Sequence, residues 1–246
     1  VLGLSPELLD EKLSQKAINT KLIYGDLRPW KQPLDIVTPS KAGTKKTIYR
    51  FGENETSESN YWFTWTTDVD VVRAPLDNDT TERTYFTGDS YPKVTNYSRA
   101  LTGGTQYPIN AYRLGVPAPS ITSVTLTRSG SASSSTAIPS TVAYVITYVS
   151  SQGEESAPSS PTGVYDFTFG QTITLNNLPV GAFVSPYNGW TNVDVATKRI
   201  YRSNTGNKGT DYQFVTEIPL AQTSYADSTD AANLQETVQT WDWTPA

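Results

Sequence analysis

Apolar positions along this 246-residue chain fall mostly in short runs separated by turn-forming residues. Four strand-like runs occur early, at residues 47–51, 61–66, 68–74 and 83–87. Their β-branched and aromatic side chains suit a pleated, half-buried surface, and the last run ends at the turn pair Gly88-Asp89. The pattern predicts a first small β domain over residues 47–115.

Further strand-like runs follow a proline-containing linker, at residues 121–127, 142–149, 171–176, 198–203 and 212–218. The run at 142–149 is nearly all apolar, so we expect a central strand with both faces covered. Strict alternation at 171–176 places Ile173 and Leu175 on one face. Short strands with turn signals between them predict an immunoglobulin- or fibronectin III-like β-sandwich over residues 116–230.

A helical pattern occurs at the beginning of the chain. Ser5-Pro6-Glu7 is typical of a helix start, and Leu9, Leu13 and Ala17 then form a narrow apolar stripe. A helix of about three turns is too short to be stable alone. The stripe must therefore dock, either on its own domain or on a partner.

The segments on either side of the β domains are predicted to be irregular. Prolines interrupt residues 20–46, where Leu27 and Trp30 supply apolar anchors for an arm lying across a neighbouring subunit. The tail, residues 231–246, contains Trp241 and Trp243, which need burial, with another chain as a candidate cover. The predicted fold is thus mainly β: two small β domains with a short N-terminal helix and an extended arm over residues 1–46.

Composition removes whole classes of chemistry. The chain contains no Cys and no His, which excludes disulfides, thiolate nucleophiles and Ser-His-Asp catalysis within it. No apolar run approaches the roughly 20 residues that span a bilayer, and no signal-peptide pattern is present, so we expect a soluble assembly without a membrane partner. Residues 1–50 carry a net charge of +4 and the remainder −9. An acidic neighbouring subunit is a better partner for the basic segment than nucleic acid, which demands clustered positive charge.

Three patterns could carry chemistry, and each has a simpler explanation. The carboxylates around Asp77 and Asp79 lack the spacing of an EF-hand loop, and Asp also favours turns. The adjacent pair Glu154-Glu155 is interpreted as solvated loop charge rather than a glycosidase pair. Aromatic residues at 61–65 could stack sugars, but alternation favours packing on both faces of a strand. We expect no catalytic residue, no metal site and no cofactor.

Two sets of segments carry a resemblance to known proteins. The first set is AYVITYV (143–149), GEESAPS (153–159), KRIYR (198–202), YQFV (212–215) and TSYAD (223–227), and the second is TYFTGD (84–89) with Pro92-Lys93. The first set resembles the fibronectin type III-like segments of bacteriophage virion proteins, and the second is similar to a motif in the same class of phage structural proteins. The resemblance implies a structural part of the virion, in the tail or head–tail region, and not an enzyme. It does not specify the position within the virion.

The resulting hypothesis is a neck, adaptor or hub component that contacts other copies of itself in a ring and other phage tail or neck proteins. The residues predicted to form subunit contacts are Leu9, Leu13, Leu27, Trp30, Trp241 and Trp243. The alternative is a receptor- or carbohydrate-binding fibre module that uses exposed aromatic rings.

Overall fold

The computed structural model describes residues 18, 20–21, 28–31, 33–52, 61–136, 138–181, 183, 189–192, 194–206 and 209–243. The chain forms two compact units. The first comprises Val1–Thr38 with Ser57–Asn60, and the second comprises Pro39–Thr56 with Tyr61–Ala246. The predicted helix, residues 5–17, lies outside the described residues.

The described part of the first unit is a small antiparallel pair followed by chain without regular secondary structure. Strands β1 (Thr20–Lys21) and β2 (Arg28–Pro29) pair Lys21 with Arg28. The chain then runs without regular structure through residues 33–38, where Pro33 supplies no backbone donor. The β1-β2 pair lies within the segment predicted to be irregular, and the extended arm stays a prediction.

The second unit begins with short antiparallel strands. Its elements are β3 (Thr47–Arg50), β4 (Trp62–Trp65), β5 (Asp70–Arg73), β6 (Thr84–Thr87), β7 (Lys93–Thr95), α1 (Tyr97–Leu101) and β8 (Tyr112–Arg113). Strands β3 and β4 pair with each other, whereas β5 to β8 form one sheet in chain order. Helix α1 begins where the Asn96 side chain accepts a hydrogen bond from the backbone of Arg99, at 3.0 Å. Rings from β4 and β6, including Phe63, Trp65 and Phe86, fill the core beneath these sheets.

The remaining strands build a β-sandwich. They are β9 (Thr125–Ser129), β10 (Pro139–Val142), β11 (Tyr144–Ser150), β12 (Tyr165–Thr168), β13 (Thr172–Asn176), β14 (Val195–Gly206), β15 (Gly209–Pro219) and β16 (Ser224–Asp227). One sheet has the order β16-β13-β9, another β11-β14-β15, and β10 pairs with β12. All pairings are antiparallel. The prediction of a mainly β chain with little helix is confirmed.

The sandwich core follows from alternation in β13 and continuity in β11. Ile173 and Leu175 point inward and meet Tyr144, Ile146 and other apolar residues of the facing sheet. Every residue of β11 is buried, as its apolar run predicts. The strand is not central, however, because it lies at the edge of the β11-β14-β15 sheet. Burial on both faces explains why this strand lacks a polar face.

The second edge of β11 is covered by an extended segment with a three-residue period. Backbone N–H groups of Tyr148, Ile146 and Tyr144 donate to the hydroxyls of Ser156, Ser159 and Thr162, respectively. The backbone N–H groups of these three hydroxyl residues donate back to the carbonyls of the same β11 residues, at 2.8–2.9 Å. The hydroxyl residues thus cover the outer edge of β11, an edge strand that would otherwise have unpaired backbone groups.

A shared apolar core crosses the predicted boundary between residues 115 and 116. Val94 and Tyr112 of the first β region pack in one cluster with Tyr148, Trp190 and Leu220 of the second. Both β regions belong to the second compact unit. The division into a 47–115 and a 116–230 domain stays a prediction.

Candidate functional site

The described part of the first unit exposes apolar side chains. Trp30 is 62% exposed and Leu34 is 84% exposed. The ammonium of Lys21 lies 5.6 Å from the centroid of the Trp30 ring, which places a cation on this aromatic surface. Ile36 and Val37 continue the exposed apolar run. Several exposed apolar side chains within a short segment are typical of a segment that contacts a partner.

The other predicted contact residues of the arm, Leu9, Leu13 and Leu27, lie outside the described residues.

The excess of positive charge in residues 1–50 does not belong to the first unit. Lys41, Lys45, Lys46 and Arg50 carry it, and all four lie in the second unit.

The C-terminal tail folds back onto the sandwich. Phe214 donates its backbone N–H to Glu236 and Val238 donates to Tyr212, both at 2.9 Å, which adds a short bridge to the edge of β15. Trp241 stacks on Tyr212 with ring centroids 5.3 Å apart. The chain itself thus covers part of the tail, although Trp241 remains 49% exposed and Trp243 38% exposed.

The aromatic run at residues 61–65 is largely internal. Phe63 is 0% exposed and Trp65 is 6% exposed, and their rings meet edge to face with centroids 6.1 Å apart. Rings in this position stabilise the core and are not available to stack on a sugar. Packing on both faces, the explanation favoured by alternation, agrees with the burial of β4.

Glu155, interpreted from the sequence as a solvated loop charge, is instead the centre of a hydrogen-bond network. One carboxylate oxygen accepts from the hydroxyls of Thr147 at 2.7 Å and Tyr201 at 2.6 Å, and the other accepts from Arg199 at 2.7 Å. Burial, reinforced by Glu155, raises the pKa of the Tyr201 phenol. The interpretation was wrong because Glu155 forms a β-bridge with Val149 of β11. This bridge holds the loop against the sheet, so the Glu155 side chain contacts the sheet rather than solvent.

A second network joins α1 to the loop before β14. The carboxylate of Asp194 accepts hydrogen bonds from Arg99, from the Tyr112 hydroxyl at 2.8 Å, and from the backbone and side chain of Thr191 at 2.8 and 2.6 Å. Burial alone would raise the pKa of Asp194, but these bonds outweigh it and lower the pKa. Burial raises the pKa of Tyr112 to about 12, with the Asp194 hydrogen bond acting in the same direction. The network fastens the two β regions together.

A third network is fully internal. Asp227 accepts from Arg202 at 2.7 Å and from the Tyr144 hydroxyl at 2.8 Å, and the Arg202 and Asp227 side chains are 3% and 0% exposed. Burial, together with Asp227, raises the pKa of Tyr144. The sequence indicates that Arg202 is buried, because it lies two residues after the core residue Ile200 on β14 and therefore shares its face.

The carboxylates around Asp77 form a turn. The Asp79 side chain accepts from the backbone of Thr81 and of Arg83, both at 3.0 Å. Burial opposes ionisation, but these bonds and those from the Thr81 hydroxyl and Arg83 side chain lower the pKa of Asp79 to about 2. Across the described residues, no group of three or more potential ligands is arranged to hold a metal ion.

Comparison of the sequence with known family models and with curated proteins finds no match. Within the described part of the chain, no helix has the length and apolar character needed to cross a membrane.

Proposed function

We propose that this chain is a structural component of a bacteriophage tail or head–tail assembly, acting through subunit contacts and without catalysis. The observation that carries the proposal is the exposed apolar run of the first unit, from Trp30 through Leu34 to Val37. These residues belong to a compact unit separate from the unit that contains the β-sandwich. Transfer of such apolar side chains from water into a subunit contact is favourable and stabilises the contact.

The β-sandwich supports the same proposal through its polar interior. The buried carboxylates of Asp194 and Asp227 each have several donors within the chain, and so does the largely buried Glu155. Carboxylates saturated in this way fix a rigid scaffold. The resemblance of the sandwich segments to phage virion proteins supports this class of assembly. We infer other copies of the chain and neighbouring tail or neck proteins as partners, and the virion as location.

Cryo-electron microscopy of phage particles containing this chain tests the location. We expect a ring of copies between capsid and tail, or along the tail. Absence of density for the chain from intact particles would contradict the proposal.

A variant of the full chain tests the contact surface. Replacing both Trp30 and Leu34 with Ala should weaken self-association by at least about tenfold, because large apolar anchors dominate interface energies. Val72→Ala, at an exposed apolar position of β5, is the matched control and should leave association unchanged. Equal association of all three proteins would remove the arm from the proposal.

The alternative is a carbohydrate-binding fibre module. Two of the rings that could have stacked on a sugar, Phe63 and Trp65, are buried in the core. Binding of the purified chain to a glycan array, together with its absence from virions, would favour that alternative over the structural role.

A further inference from the structure

A cavity of about 390 Å³ lies where the tail returns to the sandwich. Leu114, Val116 and Trp243 supply its apolar walls, and Glu154 and Thr240 supply polar groups. Val116 is completely buried beneath it, whereas Trp243 keeps 38% of its surface exposed. The cavity, called here the tail pocket, is therefore large enough and apolar enough to receive one aromatic side chain.

Glu154 in the tail pocket is poorly neutralised. Its nearest cation among the described residues is Arg83, with 3.9 Å between Nη1 and Oε1, a distance too long for a hydrogen bond. Burial raises the pKa of Glu154, and Arg83 only partly opposes this effect. The neighbouring Glu155, in contrast, is occupied by Arg199. A cation brought to Glu154 from outside could therefore make the hydrogen-bonded ion pair that Arg83 is too distant to make.

The tail pocket also differs in charge from three other cavities lined by described residues. Those three contain cations in their walls: Arg50 and Arg73 in one, Lys41 in another and Arg99 in the third. The charged side chains that line the tail pocket are both carboxylates. Among these four cavities, a ligand that joins an aromatic ring to a positive charge fits the tail pocket best.

The first unit presents a segment with this combination of groups. Trp30 is 62% exposed, Lys21 lies against its ring, and the adjacent Lys31 is exposed. We propose that the tail pocket binds Trp30 of a second copy of this chain, with Lys31 of that copy paired to Glu154. The inference rests on the proposed structural function and names the surface that receives the arm. Trp is enriched among side chains that anchor interfaces by filling a pocket.

The two surfaces of this contact are different, so the contact is heterologous. Each copy would offer its Trp30 segment to one neighbour and its tail pocket to another. Repetition of such a contact produces a closed ring when the rotation closes, and a filament when it does not. The inference thus gives the residue-level contact from which a ring of copies would be built.

A charge-reversal cycle on the purified full chain tests the pairing. Glu154→Lys and Lys31→Glu should each weaken self-association by about tenfold or more, because each places like charges together. The double variant should recover to within about threefold of the natural chain. Asp70→Lys and Lys46→Glu reverse exposed charges outside the tail pocket and should have little effect. Additive loss in the double variant, without recovery, would overturn the pairing.

Cross-linking gives a second measurement because the chain has no cysteine. A Lys31→Cys chain mixed with a differently tagged Glu154→Cys chain should form a mixed dimer with a short bis-maleimide. A mixture of Lys46→Cys with Glu154→Cys is the matched control. Equal yields from the two mixtures would overturn the inference.

The two proposals fail in different ways. If Trp30→Ala abolishes assembly while Glu154→Lys does not, the arm contact stands and the tail pocket is not its receptor. If neither variant changes assembly, both the arm contact and the tail pocket are overturned.

Discussion

Lys198 is a buried cation that has no carboxylate partner among the described residues, and this makes stability depend on pH in a predictable direction. The residue is 0% exposed, and its ammonium donates to the carbonyls of Pro179 at 2.7 Å and Leu220 at 3.1 Å. Burial lowers the pKa of Lys198 to about 8. An unfolded lysine has a pKa of about 10.4, so the unfolded chain holds this proton more tightly than the folded chain.

The free energy of unfolding should therefore rise with pH between about 8 and 10.4, as the folded protein is relieved of a buried charge. One pKa unit corresponds to about 1.4 kcal/mol, so the shift at Lys198 corresponds to about 3 kcal/mol at neutral pH. Between pH 7 and 10 about 2 to 3 kcal/mol of this cost should disappear. Lys198→Met keeps an unbranched side chain of nearly the same length and removes the titratable group.

Urea denaturation of the natural chain and Lys198→Met, followed by tryptophan fluorescence at pH 7, 8, 9 and 10, measures the effect. The difference in unfolding free energy should move by about 2 to 3 kcal/mol in favour of the natural chain as pH rises. Tyrosine ionisation contributes equally to both proteins and cancels. Lys46→Met, at an exposed position, is the matched control. A pH-independent difference for Lys198→Met would refute the reasoning.

Two further substitutions test the buried polar groups by urea denaturation at pH 7. Arg202→Met leaves the Asp227 carboxylate buried without its cation and should cost about 3 to 5 kcal/mol; a loss below 1 kcal/mol would show that Asp227 is stabilised in another way. Ser159→Ala removes the acceptor of the buried Ile146 N–H and should cost about 1 to 3 kcal/mol, whereas Ser160→Ala, at an exposed position, should be nearly neutral. Equal effects at the two serines would contradict the role of the three-residue hydroxyl period.

The sequence predicted those parts of the fold that depend on local patterns. In β13, apolar residues such as Ile173 and Leu175 alternate with polar ones because one face meets the core. In β11, the apolar residues are nearly continuous because both faces are buried. The turn at Asp79 was also predictable, since its side chain bonds to the adjacent backbone. In each case the residues that determine the structure lie within a few positions of one another.

The networks could not be predicted in the same way, because their partners are distant in sequence. Arg99 and Asp194 meet only when α1 and the loop before β14 fold together, and neither residue has a distinctive neighbourhood. Glu155 was misinterpreted for a related reason. Its position in a Gly-containing turn predicts exposure, but the bridge to Val149 turns it toward Thr147 and Arg199.

The hydroxyl segment beside β11 has a three-residue period that is visible in the sequence, but the strand edge that it covers is visible only in the fold. Ser156, Ser159 and Thr162 repeat every three residues with prolines between them, a period that belongs to extended polyproline-like chain rather than to a strand or helix. That period matches every second residue of β11, because only alternate N–H groups of this edge point toward the segment. Hydroxyls and backbone N–H groups in this segment together saturate an edge that could otherwise pair with another chain. A protein that assembles through a defined arm needs its sheet edges closed to other contacts, so this segment serves the proposed function by excluding the wrong interfaces.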